Sequence, residues 1–252
     1  MPQGRPQRYS LGPVAVPRPP GMLGAWALLR GPSIAENAVS EVKSAWSSPR
    51  PEWDAAVGSL YTGAEQRGTD GALHAIEVST GVNAKAGMLL AQLIRSTSPS
   101  QTLEVGCACG FSTLFLVRAL VDVGGRRHIS VDPYQHKMWH GVGIQKVIDA
   151  GLGAHHELME DLSDLALPML HKQGERFQLI FIDGDHRFDA IIADVRNSDR
   201  LLDPGAILVL DDTWMPSTRA AMSFIETNLA YQRVGVASNL AIYRKRANDQ
   251  RK

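Results

Sequence analysis

The sequence predicts an α/β fold: a doubly wound, mostly parallel seven-stranded sheet with an antiparallel last strand and an amino-terminal helical cap. Three observations carry this. Apolar runs of strand length alternate with helix-length stretches between residues 102 and 211. The first run ends in a glycine-broken turn that opens an apolar helix, and almost every run stops on a carboxylate. Repeated β-α units close most simply as a parallel sheet with helices on both faces.

The elements follow in order. Residues 1–21 hold six prolines among scattered arginines, a composition unable to bury enough surface to order itself, so a disordered tail is expected. Residues 22–78 are irregular and read as a cap or lid, with Trp26, Trp46, Trp53 and Tyr61 among short helical stretches. Its tryptophans pack the cap onto the main domain, or one of them lines a substrate pocket. The main domain covers 79–246, and 247–252 form a second tail.

Within the domain, Asn83 to Arg95 bring Ala86, Leu89, Leu90, Leu93 and Ile94 to one helical face. Strands are expected at Thr102–Val105, His128–Asp132, His156–Met159, Phe177–Asp183 and Ala206–Asp211, with helices near 112–121, 143–150, 163–171 and 188–202. The last of these helices carries Phe188, Ile191, Ile192, Val195 and Leu202 as a stripe suited to packing on a sheet. A helix opened by Pro216 runs to about Leu229, and Tyr231–Val236 with Leu240–Arg244 form a closing hairpin around Ser238-Asn239.

Composition narrows the function. Lysine plus arginine and aspartate plus glutamate balance at 26 each, so no global field attracts nucleic acid or an anionic membrane, and a small-molecule or peptide partner is favoured. Met22–Leu29 is too short to span a bilayer, which together with the absence of a clear cleavage site suggests a cytoplasmic protein. The apolar, tryptophan-bearing amino-terminal segment would suit a homodimer. Cys107 and Cys109 are too close for an ordinary disulfide and too few for structural zinc, and read as small fillers.

The turn after the first strand runs Glu104-Val-Gly-Cys-Ala-Cys-Gly-Phe-Ser112. Gly106 and Gly110 allow unusual backbone angles and a close approach to a ligand across the strand's carboxyl end. The dinucleotide pattern G-x-G-x-x-G is absent, because Ala108 stands where its second glycine would let a pyrophosphate approach. The turn therefore points to S-adenosylmethionine, with an ordinary strand-to-helix connection as the alternative. Glu104, Gly106, Gly110 and Ser112 are its candidate contacts. Asp132, at the end of the second strand, is placed to clamp ribose hydroxyls, unless Asp132-Pro133 merely begins a turn.

A sharper constellation joins Phe181-Ile-Asp-Gly-Asp-His-Arg187 to Leu210-Asp-Asp-Thr-Trp214. Neighbouring strands would bring Asp183, Asp211 and Asp212 together, and carboxylates that close repel unless one is protonated or a cation joins them. Oxygen ligands suit magnesium, or manganese or calcium, better than zinc. The plainer reading is that these aspartates cap helices and hold turns. His136, His140, His155 and His156 show no metal-like arrangement with further ligands and read as surface or loop residues. Trp139 follows the second strand and either stacks beside a ligand or packs in the core.

Taken together, Leu103–Thr113, Val131-Asp-Pro133, Ser163–Pro168, Phe181–His186 and Leu201–Gly205 running into Leu210–Asp212 resemble the class I S-adenosylmethionine-dependent methyltransferases. The resemblance is closest to the metal-dependent small-molecule O-methyltransferases of the catechol and antibiotic-sugar types. It covers about Ser79 to Arg244 and implies a Rossmann-like sheet, S-adenosylmethionine as cofactor and a magnesium ion held by Asp183, Asp211 and Asp212. It also implies adenine contacts near Ser163, with Glu160 and Asp161 alongside or capping the next helix, and a cofactor role for Asp183. Catechol-type relatives carry Asp-Asn where this chain has Asp211-Asp212, and a lysine base where it has His186. The antibiotic-sugar type carries Asp-Asp and uses a histidine like His186 or an aspartate like Asp185 as base. The implied reaction is O-methylation of a hydroxyl on a small specialised metabolite, with His186 as base and Asp185 as its rival. Two other readings stay open: a metal-free methyltransferase acting on an amine, carboxylate or peptide, and a cofactor-binding protein without methyl transfer.

Overall fold

The computed structural model describes Trp46 and residues 48–248. The expected tail at 1–21, the cap up to residue 45 with Trp26, and residues 249–252 lie outside the described residues. Helix α1 (Pro51–Thr62) leads into a short hairpin of β1 (Gln66–Arg67) and β2 (Leu73–His74), then α2 (Ala84–Thr97). The alternating part follows as β3 (Gln101–Val105), α3 (Phe111–Asp122), β4 (Arg127–Val131), α4 (Val142–Asp149), β5 (His156–Met159), α5 (Ser163–Lys172), β6 (Phe177–Ile182), α6 (Phe188–Leu201) and β7 (Leu202–Leu210). Helix α7 (Pro216–Asn228) and the hairpin β8 (Tyr231–Ala237) and β9 (Leu240–Lys245) close the chain.

The seven-stranded sheet has the order β5-β4-β3-β6-β7-β9-β8. Neighbours from β5 to β7 pair in parallel, and β9 runs antiparallel to both β7 and β8. The expected doubly wound, Rossmann-like sheet with an antiparallel last strand is therefore present. Alternation along each strand divides the core. Leu179 and Phe181 of β6 join Ile207 and Val209 of β7 against α1 to α4, while Ile180 and Ile182 join Leu208 and Leu210 against α5 to α7. Ser238 and Asn239 both take positive φ, as a two-residue hairpin turn requires.

Two boundaries differ from the sequence expectation. Leu202 does not continue α6 but starts β7 opposite Phe177, and the exposed Asp203-Pro204-Gly205 bulges out before pairing resumes at Ile207. Phe188 sits in the first turn of α6 and is 57% exposed, so the buried stripe rests on Ile191 and Val195 instead. Trp53 is 1% exposed, donates its indole N–H to the Leu114 carbonyl at 2.8 Å and meets Phe115 edge-on at 5.5 Å.

The order of strands reverses between β3 and β6, the point at which an open α/β sheet leaves a crevice at its carboxyl ends. The turn after β3 and the loop after β6 flank that crevice.

Candidate active site

The glycine turn is built tightly against the loop after β6. Gly106 has φ +92°, donates its N–H to Val131 at 2.9 Å, and a Cβ there would lie 2.1 Å from the Asp183 carbonyl oxygen. Its glycine is thus demanded by the protein's own backbone. Gly110 (φ +86°) begins α3, and a Cβ on it would come within 2.9 Å of Gly143 in α4. Between them, Ala108 adopts φ +46°, a left-handed conformation that costs a residue with a side chain.

Buried carboxylates brace this turn from both sides. Glu104 is fully buried; Ser112 donates to its Oε2 at 2.8 Å, and Ser130 to its Oε1 at 2.7 Å, with Thr113 bonding the same oxygen. Burial alone would raise its pKa, but His128, 3.3 Å away, and these hydroxyl donors hold it below the ordinary carboxylate value. Asp132 accepts the N–H groups of Cys107 at 3.1 Å and Ala108 at 2.8 Å on Oδ2, and that of Tyr134 at 2.9 Å on Oδ1. Asp132 therefore ties the glycine turn to the loop after β4. Gln135 locks the same junction, donating to the Ala108 carbonyl at 2.7 Å and to Asp132 at 3.1 Å. Nothing in the sequence marks a lone glutamine for that role.

The acids expected to converge do so, with a change of membership. Asp183 follows β6, and Asp211 and Asp212 follow β7, its parallel neighbour. Donor atoms of Asp183, His186 and Asp212 all lie within 4.8 Å of one another. Asp211 stands at the edge of this group, its Oδ1 accepting the Asp212 N–H at 2.7 Å. Asp212 takes φ +52°; its Oδ1 accepts the Trp214 indole N–H at 2.8 Å, and its Oδ2 faces His186 Nε2 at 3.4 Å. Burial, then the charges of Asp211, Asp212 and Glu104, push the Asp183 carboxyl well above its usual range. Burial and the Asp212 charge push Asp211 up to about 7 against the opposing hydrogen bond from the Asp212 amide. Strained carboxyls beside an imidazole fit a divalent cation, which would relieve both the burial and the repulsion.

Other sequence candidates are placed less centrally. Asp185 is gripped by Arg187, which donates from its backbone at 3.0 Å and from its guanidinium at 2.8 Å; that pairing outweighs burial and lowers the carboxyl's pKa. Ser163 begins α5, and both carboxyl oxygens of the buried Asp194 of α6 lack a hydrogen-bond partner among the described residues. Glu160 accepts both the backbone N–H and Nδ1 of the exposed His136, at 2.8 and 2.6 Å, rather than capping α5. Trp139 packs partly buried against the core. His156 is no surface residue: it shares a 2.7 Å hydrogen bond with Ser130, and burial followed by the charge of His128 brings its pKa down to about 4.

The doubly wound sheet, with a glycine turn after β3 and acids after β6 and β7 beside its switch-point crevice, has the Rossmann-like fold of solved methyltransferase structures. Residues 103–213 match a family model described as a methyltransferase domain. Catechol O-methyltransferase B of Danio rerio is 25% identical over 168 residues, 65% of this chain and 61% of that protein. Catechol O-methyltransferase of Bos taurus is 24% identical over 157 residues, 60% of this chain and 55% of that protein. The chain thus spans about three fifths of the length of these relatives. Among solved structures, the O-methyltransferase TomG from Streptomyces achromogenes, involved in tomaymycin synthesis and in complex with S-adenosylmethionine, superposes with a TM-score of 0.63. It is 18% identical, and the match covers 84% of this chain and 96% of that one. Among the described residues no helix is long and apolar enough to cross a membrane.

Proposed function

We propose that this protein is an S-adenosylmethionine-dependent O-methyltransferase that methylates a hydroxyl of a small specialised metabolite with the help of a divalent cation, most simply magnesium. The observation that carries the reading is the cluster of Asp183, Asp211, Asp212 and His186, which crowds buried carboxyls at the switch point of this fold. The names of the catechol relatives, all O-methyltransferases, support the acceptor atom.

In this reading Gly106 and Gly110 keep the turn after β3 narrow enough for the cofactor to lie across it. Glu104 and Ser112 act through the shape of that turn, since they bond to each other, and Asp132 acts by fixing the Cys107 and Ala108 amides. Ser163, at the start of α5 after β5, would contact the adenine. Asp183, Asp211 and Asp212 would hold the cation, whose contribution when bound is to make a coordinated hydroxyl more acidic. His186, 40% exposed at the mouth of the cluster, accepts the hydroxyl proton, a task for which an imidazole is suited near neutral pH. Asp185 is the weaker base because Arg187 already holds its carboxylate. S-adenosylmethionine, when bound, would supply the sulfonium methyl that the deprotonated substrate oxygen takes up, with S-adenosylhomocysteine as the departing product. Trp214, pinned to Asp212 and 45% exposed, offers an apolar wall beside the acceptor.

The test is a manganese titration read by electron paramagnetic resonance in the presence of S-adenosylhomocysteine, comparing wild type with Asp183→Asn. One manganese site fewer in the variant, with chelator-sensitive methyl transfer to a panel of catechols and other hydroxyl compounds, is the expected result. Equal manganese binding in both proteins, or methyl transfer that survives exhaustive chelation, overturns the metal-assisted reading.

A further inference from the structure

Away from the crevice, the β1–β2 hairpin brings Asp70 and His74 against His140 in the loop that enters α4. His74 Nε2 lies 3.0 and 2.9 Å from the two Asp70 oxygens. The imidazoles of His74 and His140 stack at 3.9 Å with their planes 2° apart, and the donor atoms of all three residues fall within 4.8 Å of one another. We propose that Asp70, His74 and His140 form a second divalent-cation site, for a borderline transition metal such as zinc, that clasps the hairpin to the α4 loop.

Donor chemistry separates this cluster from the one in the crevice. Two imidazoles and one carboxylate suit zinc, and three protein ligands leave the fourth tetrahedral position for water. The backbone around the cluster is built to hold it. Thr69 N–H donates to the His140 carbonyl at 3.1 Å, and a Cβ on Gly68 would sit 2.3 Å from that same oxygen. A Cβ on Gly141 (φ +67°) would fall 2.1 Å from Thr69 Oγ1, so the two segments meet with no room for side chains at either glycine. His140 itself takes φ +53°, a costly conformation for a non-glycine residue, and it is this backbone that lays its ring on His74. Asp70 is held in place by the Ala72 N–H at 2.9 Å.

Parallel rings send their in-plane lone pairs side by side, so one ring must turn for both to meet a single ion. His140 is exposed, and among the described residues neither of its ring nitrogens makes a hydrogen bond, so rotation about its χ2 gives up only the stack on His74. The clasp also has a route to the glycine turn. Gly141 N–H donates to Gln135 at 2.7 Å, and Gln135 donates to Ala108 at 2.7 Å. An ion here would brace the wall of the crevice without entering it.

The test uses the full chain, with Co²⁺ read by visible absorption and Zn²⁺ by calorimetry and thermal unfolding. Wild type should show the intense absorption of tetrahedral Co²⁺ and a higher Tm with Zn²⁺. His74→Gln and His140→Asn should each weaken that binding by at least about 100-fold, more than loss of an outer-shell partner costs. Asn tolerates the left-handed backbone at 140, so the second variant keeps the fold, which circular dichroism checks. Asp183→Asn, which disables the crevice cluster, should leave these bands in place. Persistence of the bands in both histidine variants, their loss in Asp183→Asn, or a wild type whose Tm moves with pH but not with Zn²⁺ would each overturn the proposal.

Discussion

At the scale of single residues, the glycine turn contains one position where glycine is indispensable and another where its absence leaves strain. Gly106→Ala would put a methyl group 2.1 Å from the Asp183 carbonyl at φ +92°. Backbone strain and overpacking together should destabilise the protein by on the order of 3 kcal/mol. They would also push the β6 loop away from the turn, so cofactor affinity should fall with stability. Ala108→Gly runs the other way. Removing the side chain from φ +46° relieves about 1 kcal/mol or more, part of which the freer unfolded chain takes back. The net gain should be between about 0 and 1 kcal/mol. Urea unfolding of the two variants beside wild type measures both; an Ala108→Gly protein clearly less stable than wild type would mean that the alanine makes contacts worth more than the strain.

At the scale of elements, α1 is held by two aromatic anchors, Trp53 and Tyr61, of which Trp53 is the more deeply buried. Trp53 is buried among α3 side chains and bonds a helix carbonyl, so Trp53→Ala should cost about 3–5 kcal/mol, while Trp53→Phe, which keeps most of the apolar contact, should cost far less. A thermal unfolding series would show it, and equal losses in the two variants would place the weight on the indole N–H instead. The same element shows why some of the fold was legible in the sequence. A tryptophan in a polar stretch announces burial, and the run at β6, FQLIFI, is apolar enough to be read as a central strand. By contrast, β1 and β2 are two residues each, too short to carry any period, and they exist because the hairpin docks on the loop before α4. Phe188 misled the helix stripe because apolarity at a helix start says nothing about whether a partner covers it. The acids after β6 and β7 were legible as strand-terminal carboxylates, whereas Gln135 and the Asp70–His74–His140 group were not, since tertiary docking alone brings them to their partners.

Across the whole molecule, the buried titratable groups pull stability in opposite directions with pH. His156 has its pKa depressed to about 4, so the unfolded chain takes up a proton that the folded one refuses. That contribution makes stability rise from pH 4 to the free imidazole value near 6.5. Asp211, raised to about 7, does the reverse: the folded protein binds its proton first, and stability falls as pH climbs from the free carboxyl value of 3.8 to 7. Asp183 is raised for the same reason and adds to that fall. In the presence of chelator the falls from Asp211 and Asp183 outweigh the rise from His156, so wild-type stability should decline as pH climbs from about 4 to 7. Asp211→Asn removes a charge that the metal-free fold holds at a loss. At pH 8 with chelator this variant should be more stable than wild type, by on the order of 2 kcal/mol, and its stability should fall less steeply with pH than that of wild type because one of the two raised carboxyls is gone. Saturating manganese should stabilise wild type but not the variant by mass action on the folded state. Denaturant curves at several pH values with and without metal distinguish the outcomes. If Asp211→Asn were less stable than wild type in chelator, the acid cluster would be a structural hydrogen-bond network, and the crowding of charge after β6 and β7 would no longer speak for a cation.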